Sequence, residues 1–317
     1  MSNVAPVQAS FGQLRAQSFS VMCSTRTRCN AGCRFCISKI TPGTSDDQEG
    51  VKVCTMASIE KGLRFAARLG ASHMILTGKA DPTQEDDSWL CDVTELCSRN
   101  NYLPFIDMHT NGLLLRKGKA KDKLLPLMAK LGLTHVTFSI ASFEADQNKF
   151  LMQIEQRPEE LIPYAVDLEL HVRCSLVVNK SGVSNFEEIM EYVRCAGNLG
   201  AHAVVIRELW APEEYSELNK DVFGWNQEYL VPIAEIEEQF HQVAATRNQW
   251  GIQELDPLPW GTKVFVVGGI FSDSLHGVNV TFARCDEGTH CATLKSIVHK
   301  PNGHGYRNWG HNGDILY

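Results

Sequence analysis

Three cysteines stand within eight residues, Cys29-Asn-Ala-Gly-Cys33-Arg-Phe-Cys36, directly after an apolar run that reads as a β-strand. Thiolates at this C-x3-C-x2-C spacing on one loop can converge on a single metal centre, and soft sulfur donors select iron–sulfur clusters, zinc or copper(I). A closed structural site wants a fourth protein ligand nearby, and none follows at short spacing. Three cysteines on a four-iron cluster leave one iron open, as a reactive centre requires. The other cysteines, Cys23, Cys54, Cys91, Cys97, Cys174, Cys195, Cys285 and Cys291, are scattered. The total of 11 is odd, so a complete disulfide framework explains them poorly, and most are expected as small buried hydrophobes.

Polar groups recur where later apolar runs end. Thr77-Gly78-Lys79-Ala80-Asp81-Pro82-Thr83 reads as a turn with Pro82 limiting the next helix. His109-Thr110-Asn111-Gly112 is a turn in which Gly112 supplies a permissive backbone. Ser139-Ile140-Ala141-Ser142 closes a fourth run, Arg173 and Asn179 lie in a fifth, and Val204-Val205-Ile206-Arg207 forms a sixth.

Positioning these groups takes six strands, expected near 19–24, 73–77, 104–109, 135–140, 171–178 and 203–207, with helices over 57–69, 89–100, 121–131, 158–166 and 186–199. The alternation predicts an α/β fold with a parallel sheet wrapped by helices. Six units are too few for an eightfold barrel and suit an open, partial (β/α)6 TIM-type barrel. Residues 208–232 read as a polar, aromatic connection, followed by a helical pattern over 233–247. From about Asn248 short strand-like pieces punctuated by Gly, Pro and Asn predict a small hairpin-rich appendage, a lid over the barrel mouth. The expected organisation is an N-terminal extension (1–18), a barrel (19–247) and a C-terminal lid (248–317).

The chain of 317 residues is 44% hydrophobic and 21% charged, enough to bury a full core. Its net charge of -7 offers no basic excess of the kind that coats DNA or RNA, which leaves room for a nucleotide substrate. No apolar stretch approaches the roughly 20 residues of a membrane helix. Residues 1–17 lack a basic end followed by an apolar block, so no secretory signal is expected and a cytoplasmic location is. The basic run Arg116, Lys117, Lys119, Lys121, Lys123 is expected to form a solvated helix face.

Cys29, Cys33 and Cys36, with Phe35 before the last cysteine, resemble the radical S-adenosylmethionine (radical SAM) enzymes. The resemblance implies that the three thiolates hold a [4Fe-4S] cluster whose fourth iron is chelated by the amino and carboxylate groups of S-adenosylmethionine. It further implies reductive cleavage to methionine and a 5'-deoxyadenosyl radical that abstracts hydrogen from the substrate. The turn at Gly78, Lys79, Ala80 and Asp81 is similar to the family's glycine-rich turn for the amino end of the cofactor, with Ala80 and Asp81 replacing the usual Gly and Glu. Asn111 lies in a Thr-Asn-Gly turn like the family's, and Ser139 matches a ribose-contacting serine. Arg173 and Asn179 match positions for the carboxylate or ribose, and the backbone at Ile206 matches the strand beside adenine. The resemblance covers about 19–207.

The tail, with Cys285, His290, Cys291, a Pro301-Asn-Gly303 hairpin and Gly313-Asp314-Ile315, is faintly similar to auxiliary-cluster modules of some radical SAM relatives, but Tyr306, Arg307 and Asn308 stand where a cysteine is wanted. A cluster there would need non-cysteine ligands such as His299 or His304, so the tail reads as a degenerate module. Its polar and aromatic set is expected to contact substrate, with His304 and Tyr306 as candidate catalytic groups. The expected function is radical cleavage of S-adenosylmethionine followed by rearrangement or cyclisation of a polar small molecule, a nucleoside, nucleotide or sugar. The expected partner is an external electron donor such as flavodoxin or ferredoxin. A peptide-modifying radical SAM enzyme and a non-enzymatic iron–sulfur or zinc protein are the alternatives.

Overall fold

The computed structural model describes residues 14–23, 29–41, 54–211, 213, 216–246, 249–259, 261–268, 277–284, 293–309 and 315–317. In chain order they form β1 (Arg15–Ala16), β2 (Ser18–Met22), α1 (Met56–Arg68), β3 (His73–Thr77), α2 (Asp87–Arg99), β4 (Phe105–Thr110), α3 (Leu124–Lys130) and β5 (His135–Ser139). There follow α4 (Ala145–Met152), α5 (Pro158–Asp167), β6 (His171–Val177), α6 (Phe186–Asn198), β7 (Ala203–Arg207), α7 (Lys220–Glu228) and α8 (Ile233–Ala244). The tail contributes β8 (Ile252–Leu255), β9 (Val264–Val267), β10 (Val278–Ala283), β11 (Thr293–Leu294), β12 (Ile297–His299) and β13 (Gly305–Tyr306).

Strands β2 to β7 lie side by side in chain order and all parallel, the arrangement that repeated strand–helix units impose. This is the partial barrel expected from the alternation. The tail widens it at both edges: β10 adds in parallel beside β7, and β12 adds in parallel beside β2. Antiparallel β9 and β8 extend one edge and β13 the other. Among the described residues no pairing joins β10 to β12, so the barrel stays open.

Alternation along each strand separates two environments. Phe19, Val21, Met74, Leu76, Met108, Val136, Phe138, Val172, Cys174, Leu176, Val204 and Ile206 face the helices in one apolar core. The opposite, inward positions are largely polar: Ser18, Ser20, Asp107, His109, Thr137, Ser139, Arg173, Ser175 and Arg207. A parallel sheet is ordinarily apolar on both faces, so a polar lumen marks space for a polar ligand. Helix α1 shows how the outer layer is built: Thr55 caps it by accepting from the Ser58 N–H at 3.2 Å, and Ile59, Leu63 and Ala66 are its buried stripe.

The N-terminal end of the lumen carries a row of stacked rings. His73, Phe105, His135 and His171 each begin a strand and His202 precedes one, with successive centroids 4.8, 5.3, 4.7 and 4.6 Å apart. Burial pushes both His135 and His171 down to about 4, so these two rings are neutral at physiological pH, and burial lowers His73 as well.

Two elements differ from expectation. The basic run is not a helix face, because α3 begins only at Leu124; the turns before it tie Arg116 to Glu160 at 3.3 Å and Lys121 to Asp87 at 2.6 Å. The connection after β7 contains α7, whose Val222 and Phe223 pack on Ile40 beyond the cysteine loop. Of the scattered cysteines, Cys23, Cys54, Cys91, Cys97 and Cys174 are buried as expected and Cys195 is half-buried, while Cys285 and Cys291 lie outside the described residues. Among the described residues no helix is long and apolar enough to cross a membrane.

Candidate active site

The cysteine loop follows β2 and docks on the C-terminal end of α4. The Gly32 N–H donates to the Met152 carbonyl at 3.1 Å and the Arg34 N–H to the Leu151 carbonyl at 3.0 Å. Lys39 Nζ ties the loop to itself, donating to the Gly32 and Cys33 carbonyls at 3.0 and 2.9 Å. Ala31, Leu151, Met152 and Ile154 form a small apolar cluster beneath it, and Phe35 packs on Trp225 of α7 with ring centroids 6.3 Å apart.

Burial pushes the Cys33 thiol up to about 12, reinforced by Cys36 and Cys29, so the three sulfurs lie within electrostatic reach of one another. Burial also raises Cys29. A thiol held so high gives up its proton only to a strong Lewis acid, so metal loading here releases protons. Among the described residues no three His, Cys, Asp or Glu side chains gather at single-ion spacing. Three soft donors on one loop suit an iron–sulfur cluster by their chemistry. Beside them the buried Asn30 Nδ2 lacks a partner.

Asp81 organises the turns around this loop. Its buried carboxylate accepts from Thr83 N–H at 3.0 Å, Thr83 Oγ1 at 2.5 Å, Thr110 Oγ1 at 2.9 Å and Asn111 N–H at 2.6 Å. Burial raises its carboxyl by more than these donors pull it down. Asn111, so held, donates from Nδ2 to Asn30 Oδ1 at 2.7 Å, and the Asn30 N–H donates to Gln84 Oε1 at 2.9 Å. Gly112 turns the chain away with φ of 72°, a conformation free only to glycine. Gln156 continues the network, donating to the Asn111 and Ser139 carbonyls at 2.6 and 2.9 Å and accepting from Asn148 at 2.9 Å. Cysteine loop, β3 turn, β4 turn and β5 end are thus one hydrogen-bonded rim.

The expected site residues fall into groups against this rim. Asp81, Asn111 and Ser139 belong to it, Gly78 directly follows β3, Ala80 is buried and Lys79 Nζ donates to the Thr41 carbonyl at 2.9 Å. Asn179 is fully buried just past β6, with Nδ2 donating to the Val177 carbonyl at 2.9 Å and Oδ1 lacking a partner. The Ile206 side chain faces the helices, leaving only its backbone toward the lumen. Arg173 lies lower, in register with Thr137, and donates to Asp107 at 3.3 Å. His304 and Tyr306 are committed within the tail: His304 Nδ1 lies 2.9 Å from the Tyr317 carbonyl, and Tyr306 Oη accepts from Asn302 at 2.6 Å. Among the described residues neither hydrogen-bonds the cysteine loop. His299 is fully buried against α1, between Tyr317 Oη at 2.9 Å and Ser58 Oγ at 3.1 Å.

Sequence reasoning missed Gln84, Gln156, Asn148, Trp225 and the inward pair Asp107 and His109. Only the pair left a signal: two ionisable residues at i and i+2 in a strand share its inward face. Asp107 is fully buried, and although burial alone would raise its carboxyl, His109 and Arg173 together hold it well below the usual range.

A model of the radical SAM superfamily matches residues 24–206. A probable GTP 3',8-cyclase of Pyrococcus horikoshii is 28% identical over 224 residues, covering 70% of this chain and 64% of that protein. The probable GTP 3',8-cyclase of Thermococcus kodakarensis is 28% identical over 234 residues, covering 71% and 66% respectively. The chain thus spans less than two thirds of either relative. Among solved structures, Streptococcus suis SuiB bound to S-adenosylmethionine superposes with a TM-score of 0.51 at 16% identity, covering 96% of this chain and 60% of that one. That likeness is one of fold.

Proposed function

This chain belongs to the radical SAM superfamily, and from that premise we propose that it is a nucleotide-modifying radical enzyme whose Cys29, Cys33 and Cys36 ligate the [4Fe-4S] cluster. The family's cofactors are that cluster and S-adenosylmethionine. Held there, they would supply an electron and a cleavable sulfonium for hydrogen abstraction from the substrate.

The chain's own part is positioning. Asn111 and Gln84 hold Asn30, and with it the loop between the first two cysteines, at the rim. The raised Asp81 ties the two turns that flank the cofactor's side of the mouth. Asn179 Oδ1 and Asn30 Nδ2, a buried acceptor and donor without partners among the described residues, are the groups offered to S-adenosylmethionine. Helix α7 shields Phe35 and excludes water from that side.

The observation that carries this reading is the trio of mutually coupled thiols anchored at the C-terminal mouth of a parallel barrel with a polar lumen. The nucleotide class draws support from the relatives' activity and from the inward Arg173, Arg207 and His109. An external flavodoxin or ferredoxin is the proposed reductant. The test is anaerobic reconstitution with dithionite as reductant and GTP as probe. 5'-Deoxyadenosine is expected in wild type, faster with GTP, and absent in Cys33→Ala. A reconstituted cluster that never cleaves S-adenosylmethionine overturns the reading.

A further inference from the structure

Within the lumen, one imidazole is held for work that the rim does not do. His109 and Asp107 occupy successive inward positions of β4, and His109 sits two residues below Asn111, about 6.6 Å down the strand from the rim. His109 Nε2 lies 3.1 Å from Asp107 Oδ2. Asp107 is ionised, so its oxygens only accept, and Nε2 must carry the proton of this bond. With Nε2 so engaged, Nδ1 is the nitrogen on which a neutral ring carries its lone pair. Nδ1 makes no hydrogen bond to any described residue, and the side chain is 22% exposed, toward the lumen.

The carboxylate that orients the ring is itself fixed. Asp107 accepts from Thr137 Oγ1, 3.1 Å from both oxygens, and from Arg173 at 3.3 Å. His109 registers with Thr137, and Thr137 with Arg173, so these three form one cross-strand layer on β4, β5 and β6, with Asp107 one inward position below, in register with His135. An oriented histidine with one nitrogen on a buried carboxylate and the other open to a ligand space is the arrangement general base catalysis needs.

We propose that His109 is the acid–base residue of this enzyme, with Asp107 as its positioning residue, acting on an O–H or N–H of the nucleotide substrate; the assignment rests on the nucleotide reading above. Radical abstraction moves a hydrogen atom and leaves protons where they were. Any proton that a rearrangement or cyclisation of a polar substrate moves therefore needs a separate donor or acceptor. As the base acts, the substrate O–H or N–H breaks, its electron pair stays on the oxygen or nitrogen, and an Nδ1–H bond forms. The resulting imidazolium faces the Asp107 carboxylate, and the proton then returns to product or water. No redox partner enters this step.

His109→Gln separates base from scaffold, because its amide N–H can still donate to Asp107 while nothing replaces Nδ1. Reconstituted holoenzyme is assayed with GTP as probe for 5'-deoxyadenosine, for modified nucleotide and for the pH profile of both. In the variant, modified nucleotide per 5'-deoxyadenosine is expected to fall on the order of 10²-fold, as loss of a general base implies. The acidic limb of the wild-type product profile is expected to vanish. Equal product ratios, or an unchanged limb, overturn the assignment and leave the radical chemistry standing. No GTP-stimulated cleavage in wild type removes the nucleotide reading and the assignment with it.

Discussion

Removing the Asp81 carboxylate tests whether the rim is held as described. Four donors converge on it, of which the Thr83 and Asn111 N–H groups belong to the main chain and cannot turn elsewhere. Each buried donor left unmade costs about 1–3 kcal/mol, so Asp81→Ala orphans about 2–6 kcal/mol of main-chain hydrogen bonding. The two hydroxyls rotate and add little. Deleting a carboxylate whose burial is unfavourable recovers part of this, which puts the expected loss at about 2–4 kcal/mol. Asp81→Asn keeps one carbonyl for Thr83 and Thr110 but turns an amide N–H toward that of Asn111, for about 1–3 kcal/mol. Urea unfolding followed by tryptophan fluorescence, with an unchanged m-value, measures the order wild type, Asn, Ala. Because Asn111 carries the bond to Asn30, iron content after anaerobic reconstitution is expected to fall in the same order. A loss below about 1 kcal/mol in Asp81→Ala, or full iron content in both variants, refutes the claim that Asp81 holds the cysteine loop.

Other consequences are as direct. His135 and His171 are pushed by burial from the ordinary imidazole value to about 4, so the unfolded chain binds more protons than the folded one between those limits. Stability is therefore expected to be undiminished above about pH 6.5 and to fall as pH drops toward 4, with a shallower fall in His171→Gln, measured by urea midpoints across that window. Gly62→Ala ought to gain helix propensity, yet the added carbon would sit 2.5 Å from the Phe19 ring and 2.3 Å from Tyr317 Oη, so a net loss of about 1–3 kcal/mol is expected on thermal unfolding. Cys285→Ala is expected to leave iron content near that of wild type, whereas Cys33→Ala removes it; loss of half the iron in Cys285→Ala would show that the tail binds a second cluster.

Much of this protein was legible in its residues because local chemistry leaves local marks. The spacing of Cys29, Cys33 and Cys36 needs one loop and no tertiary information, and β-branched runs alternating with helical periods lead to a parallel sheet whatever the distant contacts. Helices α4 and α7 escaped because Ala145–Met152 is short and carries no clear apolar stripe, and Lys220–Glu228 lies in a stretch dense with polar and aromatic residues. Three of the tail's six described strands, β9, β10 and β12, were visible as strand-like pieces, but their partners were not: that β10 joins β7 and β12 joins β2 depends on edges more than 70 residues away. Likewise nothing local says that Asp81 will serve Thr110 and Asn111, or that Asp107 will gather His109, Thr137 and Arg173. The sequence by itself determined the donor set and the repeating scaffold, since both follow from neighbours along the chain. Only the tertiary structure decided which polar groups share a layer, because hydrogen bonds across parallel strands join residues some thirty positions apart, through a register set by the packing of the whole sheet.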